Sequence, residues 1–236
     1  MFGEKERDRI VCTWRDLQRT KFYDVVIALP LIALYGSSAF HLVPSLMDRL
    51  AQADPNSIDF VFAISVLAQT GAIILILLAL TFLLIRKPPI AKAKGILPRF
   101  AAVAGTYLGV AVVWLPQHPI GATLSLASLI LMTGGVGFAI YALAHLGRSF
   151  SLMAEARNLV TDGPYASIRH PLYLGEAMSM IGLALQYLSP LAALIVALQL
   201  SFQLMRMKNE EAVLADLFPE YEAYKLRTAR LVPGLY

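Results

Sequence analysis

Cysteine and charge are both scarce in this chain of 236 residues. The one cysteine, Cys12, cannot form an internal disulfide bond, and its charged surroundings indicate an ordinary thiol rather than a nucleophile. Only 15% of the residues are charged and 58% are hydrophobic. A soluble domain usually carries about 25% charged and about 45–50% apolar residues. The shortage of charge therefore predicts a membrane protein.

Two further patterns are missing from the sequence. No run alternates apolar and polar residues as the strands of a membrane β-barrel do. No glycine-rich turn joins a predicted strand to a helix, as dinucleotide-binding folds require. The glycines at 134, 135 and 137 lie inside an apolar run, where small residues favour close helix packing. Any nucleotide-like cofactor must therefore bind outside a Rossmann fold.

Long uncharged runs predict the membrane crossings, because a helix needs about 20 apolar residues to cross about 30 Å of hydrocarbon. The third run is short, and its helix is expected to begin near Ile96. Two shorter runs are joined at Ser189-Pro190 and predict a helical hairpin. The fold class is predicted as all-α, a polytopic membrane bundle of about six helices. In order, the six runs are 25–47, 60–85, 100–115, 120–146, 171–188 and 191–205.

The basic residues predict the orientation of this bundle. Nineteen of the twenty Lys and Arg residues lie on one side of the topology, and Arg49 lies on the other. Because cytoplasmic loops carry the excess of Lys and Arg, that side is predicted to be cytoplasmic. The chain is thus expected to be a multi-pass integral membrane protein with both termini in the cytoplasm. A bacterial inner membrane and a eukaryotic endomembrane fit equally well.

Polar residues gather in the cytoplasmic segment between Arg148 and Tyr173, directly before the hairpin. Within this segment, residues 162–164 read Asp-Gly-Pro and predict a turn. Pro171 suits the first turn of a helix, which places His170 near the N-cap. The free N–H groups at such a helix end favour a carboxylate.

The hairpin is expected to bring two distant polar clusters together. If its helices run antiparallel, Glu210 and Glu211 return to the membrane face that holds Arg169 and His170. A pocket of cations and carboxylates could hold a zwitterion such as an amino acid moiety. The same spacing fits a simple interfacial ion pair equally well.

Several elements of the C-terminal part resemble, in order and spacing, the isoprenylcysteine carboxyl methyltransferase family. The likeness covers about residues 141–236, whereas residues 1–140 match only in being hydrophobic. We therefore divide the chain into an N-terminal segment with transmembrane helices, 1–140, and a catalytic region with the hairpin and a cytoplasmic tail, 141–236. The elements are Gly163-Pro164-Tyr165, Arg169-His170-Pro171-Leu172-Tyr173, the pair Glu210-Glu211, and a tail with Phe218, Tyr221 and Tyr224.

The resemblance implies a methyltransferase that encloses S-adenosyl-L-methionine near the cytosolic face and opens sideways to a lipid-like acceptor. It implies that Arg169 and Glu210 are catalytic. Membrane lipids and the acceptor are the expected partners, with neither nucleic acid nor a metal site. The cofactor-binding residues that the resemblance implies are Tyr165, His170, Pro171, Leu172, Tyr173 and Glu211.

The acceptor stays open at this point. Asn158 stands where many members of the family have His, and little in residues 1–140 identifies a tunnel for a prenyl group. A phospholipid N-methyltransferase and a small-thiol S-methyltransferase would use the same cofactor. A sterol-reductase-like enzyme using NADPH and a transporter are further alternatives, although almost no charged residue lies deep in the predicted spans, as a transport path would require.

Overall fold

Seven helices make up most of the chain in this computed structural model, which describes residues 21–53 and 59–234. Cys12 and most of the N-terminal basic segment lie outside the described residues. Two short strands, β1 (Ala91–Lys92) and β2 (Glu155–Ala156), pair antiparallel. The helices are α1 (Lys21–Ala51), α2 (Phe60–Ile85), α3 (Leu97–Tyr107), α4 (Ala122–Leu146), α5 (Pro171–Tyr187), α6 (Pro190–Leu217) and α7 (Tyr221–Arg227).

The predicted all-α polytopic bundle is confirmed. Near the predicted start at Ile96, α3 begins and continues as a 3-10 helix over Leu108–Trp114. The fifth predicted crossing, α5, has 17 residues and is about 25 Å long at about 1.5 Å per residue, less than the hydrocarbon thickness. Five segments in the described part of the chain are long and apolar enough to cross a membrane: Ala28–Ala51, Phe60–Ile85, Leu97–Trp114, Ala122–Ser149 and Pro190–Leu217.

The second arm of the hairpin is longer than the sequence predicted. The apolar run 191–205 suggested a short helix, but α6 extends to Leu217. No glycine or proline interrupts it, and burial of Arg206 and Glu211 against neighbouring elements supports the polar half. The carboxylate pair therefore lies within the helix rather than beyond its end.

The first arm of the hairpin begins as predicted. His170 is the N-cap of α5, and Pro171 occupies the first turn. At the other end Leu188 adopts a left-handed conformation with φ of 41°, and Ser189 is the N-cap of α6. This reversal sends α6 back toward the membrane face on which α5 begins.

The closest helix packing in the described ranges joins α4 and α5. A Cβ atom on Gly135 would lie 2.6 Å from the carbonyl oxygen of Gly175, so no larger residue fits there without a shift. The prediction of close packing thus holds for Gly135, whereas Gly137 faces nothing within 4 Å. On one side α2 packs against α1 and α4, and on the other α3 packs against α6. These two helix groups are joined mainly through the hairpin.

Buried ion pairs attach the start of α1 to the loop that precedes α5. Asp24 accepts hydrogen bonds from Arg86 Nε at 2.7 Å and from Arg157 Nη2 at 2.9 Å. Arg157 also binds Glu155, the first residue of β2, at 2.7 Å. Burial lowers the pKa of Arg86. The network fixes the loop over 151–160, which lines the candidate site.

Candidate active site

A cavity of about 100 Å³ lies where the start of α5 meets the polar half of α6. We call it the polar cavity. Pro171, also predicted to bind the cofactor, is fully buried and does not line this cavity, so its role stays a prediction. The predicted residues that line it are Tyr165, Arg169, His170, Leu172, Tyr173 and Glu210.

Glu211 is the centre of the charged contacts beneath this cavity. Its Oε1 accepts from Arg169 Nε at 2.9 Å and lies 3.2 Å from His170 Nε2. Its Oε2 accepts from Arg230 Nη2 at 2.7 Å. The hairpin thus brings the two predicted clusters together. Glu211 does not line the cavity, and its role toward the cofactor stays a prediction.

Arg169 anchors the C-terminal tail. Its Nη1 donates to the carbonyl oxygen of Lys225 at 3.0 Å and also to that of Thr228. Its backbone N–H donates to the carbonyl oxygen of Ala229 at 2.8 Å, and that of His170 donates to Arg230 at 3.1 Å. These bonds fold the tail across the start of α5. These bonds do not test the predicted catalytic role of Arg169. They do show that much of its guanidinium group is already bound to protein.

Glu210 faces the polar cavity and is bound to Tyr173. The Tyr173 hydroxyl donates to Glu210 Oε1 at 2.5 Å. The His170 ring stacks on Tyr173 with centroids 5.6 Å apart, and its Nδ1 lies 3.9 Å from Glu210 Oε2. A carboxylate, an imidazole and a phenol therefore converge on one wall.

Three tyrosines close the opposite side. The Tyr224 hydroxyl donates to the Tyr165 carbonyl oxygen at 2.7 Å, and Tyr221 lies beside Tyr224 with ring centroids 5.8 Å apart. Burial raises the pKa of Tyr165, and it raises the pKa of Tyr224 to about 12, so both phenols stay neutral at physiological pH. Tyr221 and Tyr224 were absent from the predicted site residues, although the spaced tyrosines of the tail carried the signal.

A second cavity, of about 310 Å³, lies between the two helix groups at the level of the apolar spans. Its walls are mainly aliphatic side chains, and we call it the membrane cavity. Three residues, Ser151, Leu172 and Tyr173, line both cavities. Tyr173 is therefore part of a thin partition between a polar space and an apolar one.

Polar side chains line the membrane cavity next to this partition. Arg206 Cζ lies 4.8 Å above the ring of Tyr173, and its Nη2 donates to the Leu152 carbonyl oxygen at 2.8 Å. Glu176 accepts from Gln203 Nε2 at 2.8 Å. Neither Arg206 nor Glu176 was among the predicted site residues. Their spacing to Glu210 and Tyr173, four and three residues, placed them on the same helix faces and could have revealed them.

No group of three or more His, Cys, Asp or Glu side chains in the described residues could hold a metal ion. Residues 123–221 match the family described as phospholipid methyltransferase. This part of the chain is similar to that family. The matched region begins with α4 and contains the hairpin, Arg169, His170 and both glutamates. Arg230 of the tail lies beyond it.

Three relatives each match part of the chain. The cobalt-zinc-cadmium resistance protein CzcN of Cupriavidus metallidurans is 33% identical over 45% of this chain and 50% of its own length. The nickel-cobalt-cadmium resistance protein NccN of Alcaligenes xylosoxydans xylosoxydans is 37% identical over 34% and 38%. The protein-S-isoprenylcysteine O-methyltransferase of Schizosaccharomyces pombe is 35% identical over 39% and 42%.

The chain thus matches at most half the length of each of these relatives. The yeast enzyme bears the name of the family that the sequence motifs resembled, and the similarity of this chain to that family is confirmed.

Proposed function

We propose that this chain transfers a methyl group from S-adenosyl-L-methionine in the polar cavity to a lipid-like acceptor in the membrane cavity. The observation that carries the proposal is the partition at Tyr173, which separates a cavity rich in polar groups from an apolar one. A reaction between a water-soluble donor and an amphiphile needs such a boundary. The apolar second cavity favours a lipid-like acceptor over a small thiol.

The residues of the polar cavity fit this cofactor, which is a cationic nucleoside bearing an amino acid. Glu210 offers a carboxylate, and Tyr165, Tyr221 and Tyr224 offer aromatic surfaces that attract cations. The side chains of Ser149, Ser151 and Asn158 also line the cavity and could bind ribose or base by hydrogen bonds. When bound, the cofactor supplies a methyl group activated by a sulfonium charge.

The chain's own residues would position the acceptor and remove water. Arg206, at the end of the membrane cavity, could orient an anionic acceptor group such as a carboxylate. For an amine or thiol, Glu210 could receive the proton through the hydroxyl of Tyr173, to which it is bound. Arg169 keeps its predicted place in the catalytic set. Alignment across the partition could contribute about 7–11 kcal/mol to lowering the barrier.

The proposal includes an orientation. Both termini and the polar cavity would face the cytoplasm, because nineteen of twenty basic residues lie on that side. The division of the chain at residues 140 and 141 also stays a proposal; it falls inside α4.

The test uses the purified full-length protein in lipid nanodiscs. Calorimetry with S-adenosylhomocysteine should show binding, and a cofactor labelled in its methyl group should label lipid extracted from the host membranes. Glu210→Gln should reduce labelling by about 10²–10⁴-fold if proton transfer is required. Glu222→Gln is the matched control, because Glu222 is 63% exposed and pairs only at the surface with Lys225.

Failure to bind S-adenosylhomocysteine, together with no label in lipid, would contradict the proposal. Label found in a small soluble thiol would reject the lipid-like acceptor while leaving methyl transfer in place. Unchanged labelling by Glu210→Gln would remove Glu210 from the catalytic residues.

A further inference from the structure

One amide in the membrane cavity has no protein partner, and we propose that it recognises a hydrogen-bonding group within the acceptor's chain. Gln199 of α6 lines this cavity and is only 5% exposed. Its Oε1 is buried and accepts no hydrogen bond from any residue in 21–53 or 59–234. An unpaired amide inside a membrane span is costly and points to a ligand. The inference rests on the proposed function, because it names the class of acceptor.

The neighbouring polar side chains of the cavity wall are already bound to protein. Arg206 donates to the carbonyl oxygen of Leu152, and Glu176 accepts from Gln203. The hydroxyls of Thr106 and Ser179 donate to carbonyl oxygens of their own helices. Within the described part of the wall, two buried side-chain atoms lack a partner, Gln199 Oε1 and Arg206 Nε, and of these the amide oxygen is the acceptor.

Helix packing holds this amide in place. The 3-10 helix that continues α3 passes so close that a Cβ atom on Gly109 would lie 2.2 Å from Gln199 Oε1. The same Cβ would lie 2.8 Å from Met180 Sδ. Only glycine at position 109 leaves space for the Gln199 amide. The 3-10 helix and α6 therefore hold the amide in a fixed position.

The position of Gln199 defines where the acceptor must be polar. Gln199 precedes Arg206 by seven residues, which is about 10 Å along α6 at about 1.5 Å per residue. With the methyl-accepting group beside Tyr173 and Arg206, a donor group about 10 Å further along the acceptor would reach the Gln199 amide. The acceptor class is therefore an amphiphile whose chain carries a hydroxyl or amide N–H. A plain hydrocarbon tail would leave the amide unpaired.

The test compares two probes that differ by one hydroxyl group. Full-length protein in phosphatidylcholine nanodiscs is mixed with octadecanoic acid or with the same acid hydroxylated near the middle of its chain. Affinities are read from the shift in Tm with probe concentration. We expect the hydroxylated acid to bind about tenfold more tightly, as one hydrogen bond to a buried partner allows.

Gln199→Leu should abolish this preference and leave binding of plain octadecanoic acid equal or tighter. Gln69→Leu is the matched control, because Gln69 is a half-buried amide on α2 that bonds to Leu42 and does not line the cavity. Equal affinity of the wild-type protein for the two probes, or binding of neither, overturns the inference. A preference that survives in Gln199→Leu also overturns it. Absence of S-adenosylhomocysteine binding in the same sample would reject the proposed function separately.

Discussion

Replacing Glu211 with Gln should loosen the C-terminal tail while the transmembrane helices stay folded. Glu211 accepts charge-assisted hydrogen bonds from Arg169 at 2.9 Å and from Arg230 at 2.7 and 3.0 Å. Its side chain is 9% exposed and that of Arg169 is 10% exposed, so both charges are largely removed from water. Removing one partner of a buried ion pair costs about 3–5 kcal/mol.

Partial exposure of Arg230, at 21%, favours the lower end of that range, about 3 kcal/mol. The cost should appear as easier local opening of the tail, by about a hundredfold. The reporters are the amides of Arg169, His170 and Ala229, whose hydrogen bonds join the tail to the start of α5.

Hydrogen exchange measured by mass spectrometry provides the assay. In Glu211→Gln these three amides should exchange about a hundredfold faster, whereas amides in α4 should keep their protection. The exposed Glu222→Gln variant should leave all of them unchanged. Equal protection of the tail in wild type and Glu211→Gln would refute the reasoning, because Glu211 would then not be what holds the tail.

Two further outcomes follow from the contacts. Asp24→Asn leaves Arg86 and the fully buried Arg157 side chain without their shared anion, so it should cost about 3–5 kcal/mol of stability and weaken S-adenosylhomocysteine binding. Thermal unfolding and calorimetry measure these effects against the exposed control Asp48→Asn. Equal Tm values of Asp24→Asn and the control would contradict this prediction. The pKa of Tyr224 is raised from 10.0 to about 12, so the stability from its neutral phenol is complete below pH 10 and lost as the pH rises toward 12. Tyr224→Phe should show a smaller fall in Tm over that interval, and an identical fall would contradict the assignment.

The helices and the hairpin could be predicted because charge gaps and prolines act locally. Pro171 and Ser189-Pro190 fix the start of α5 and the turn after it, and the structure has both where the sequence placed them. The end of α6 could not be predicted in this way. Its continuation past Met205 depends on Glu211 finding Arg169 and Arg230, which are distant in sequence.

The composition of the site was only partly predictable for the same reason. The meeting of Arg169 and His170 with the glutamate pair followed from an antiparallel hairpin. That Arg206 and Gln199 face a cavity depends on how α6 is rotated against α3, which is decided where Gly105 and Gly109 let the two helices approach. Rotation about a helix axis is a property of packing, and hydropathy along one helix does not encode it.

The thin partition that contains Tyr173 also determines how the two reactants enter and leave. A nucleoside could come and go through water while an amphiphile slid in and out sideways through the lipid, so neither would have to cross the other's solvent. Donor and acceptor would therefore reach the reaction site through separate entrances. Either could then leave first after the reaction, and the spent donor would not have to wait for the methylated product to clear.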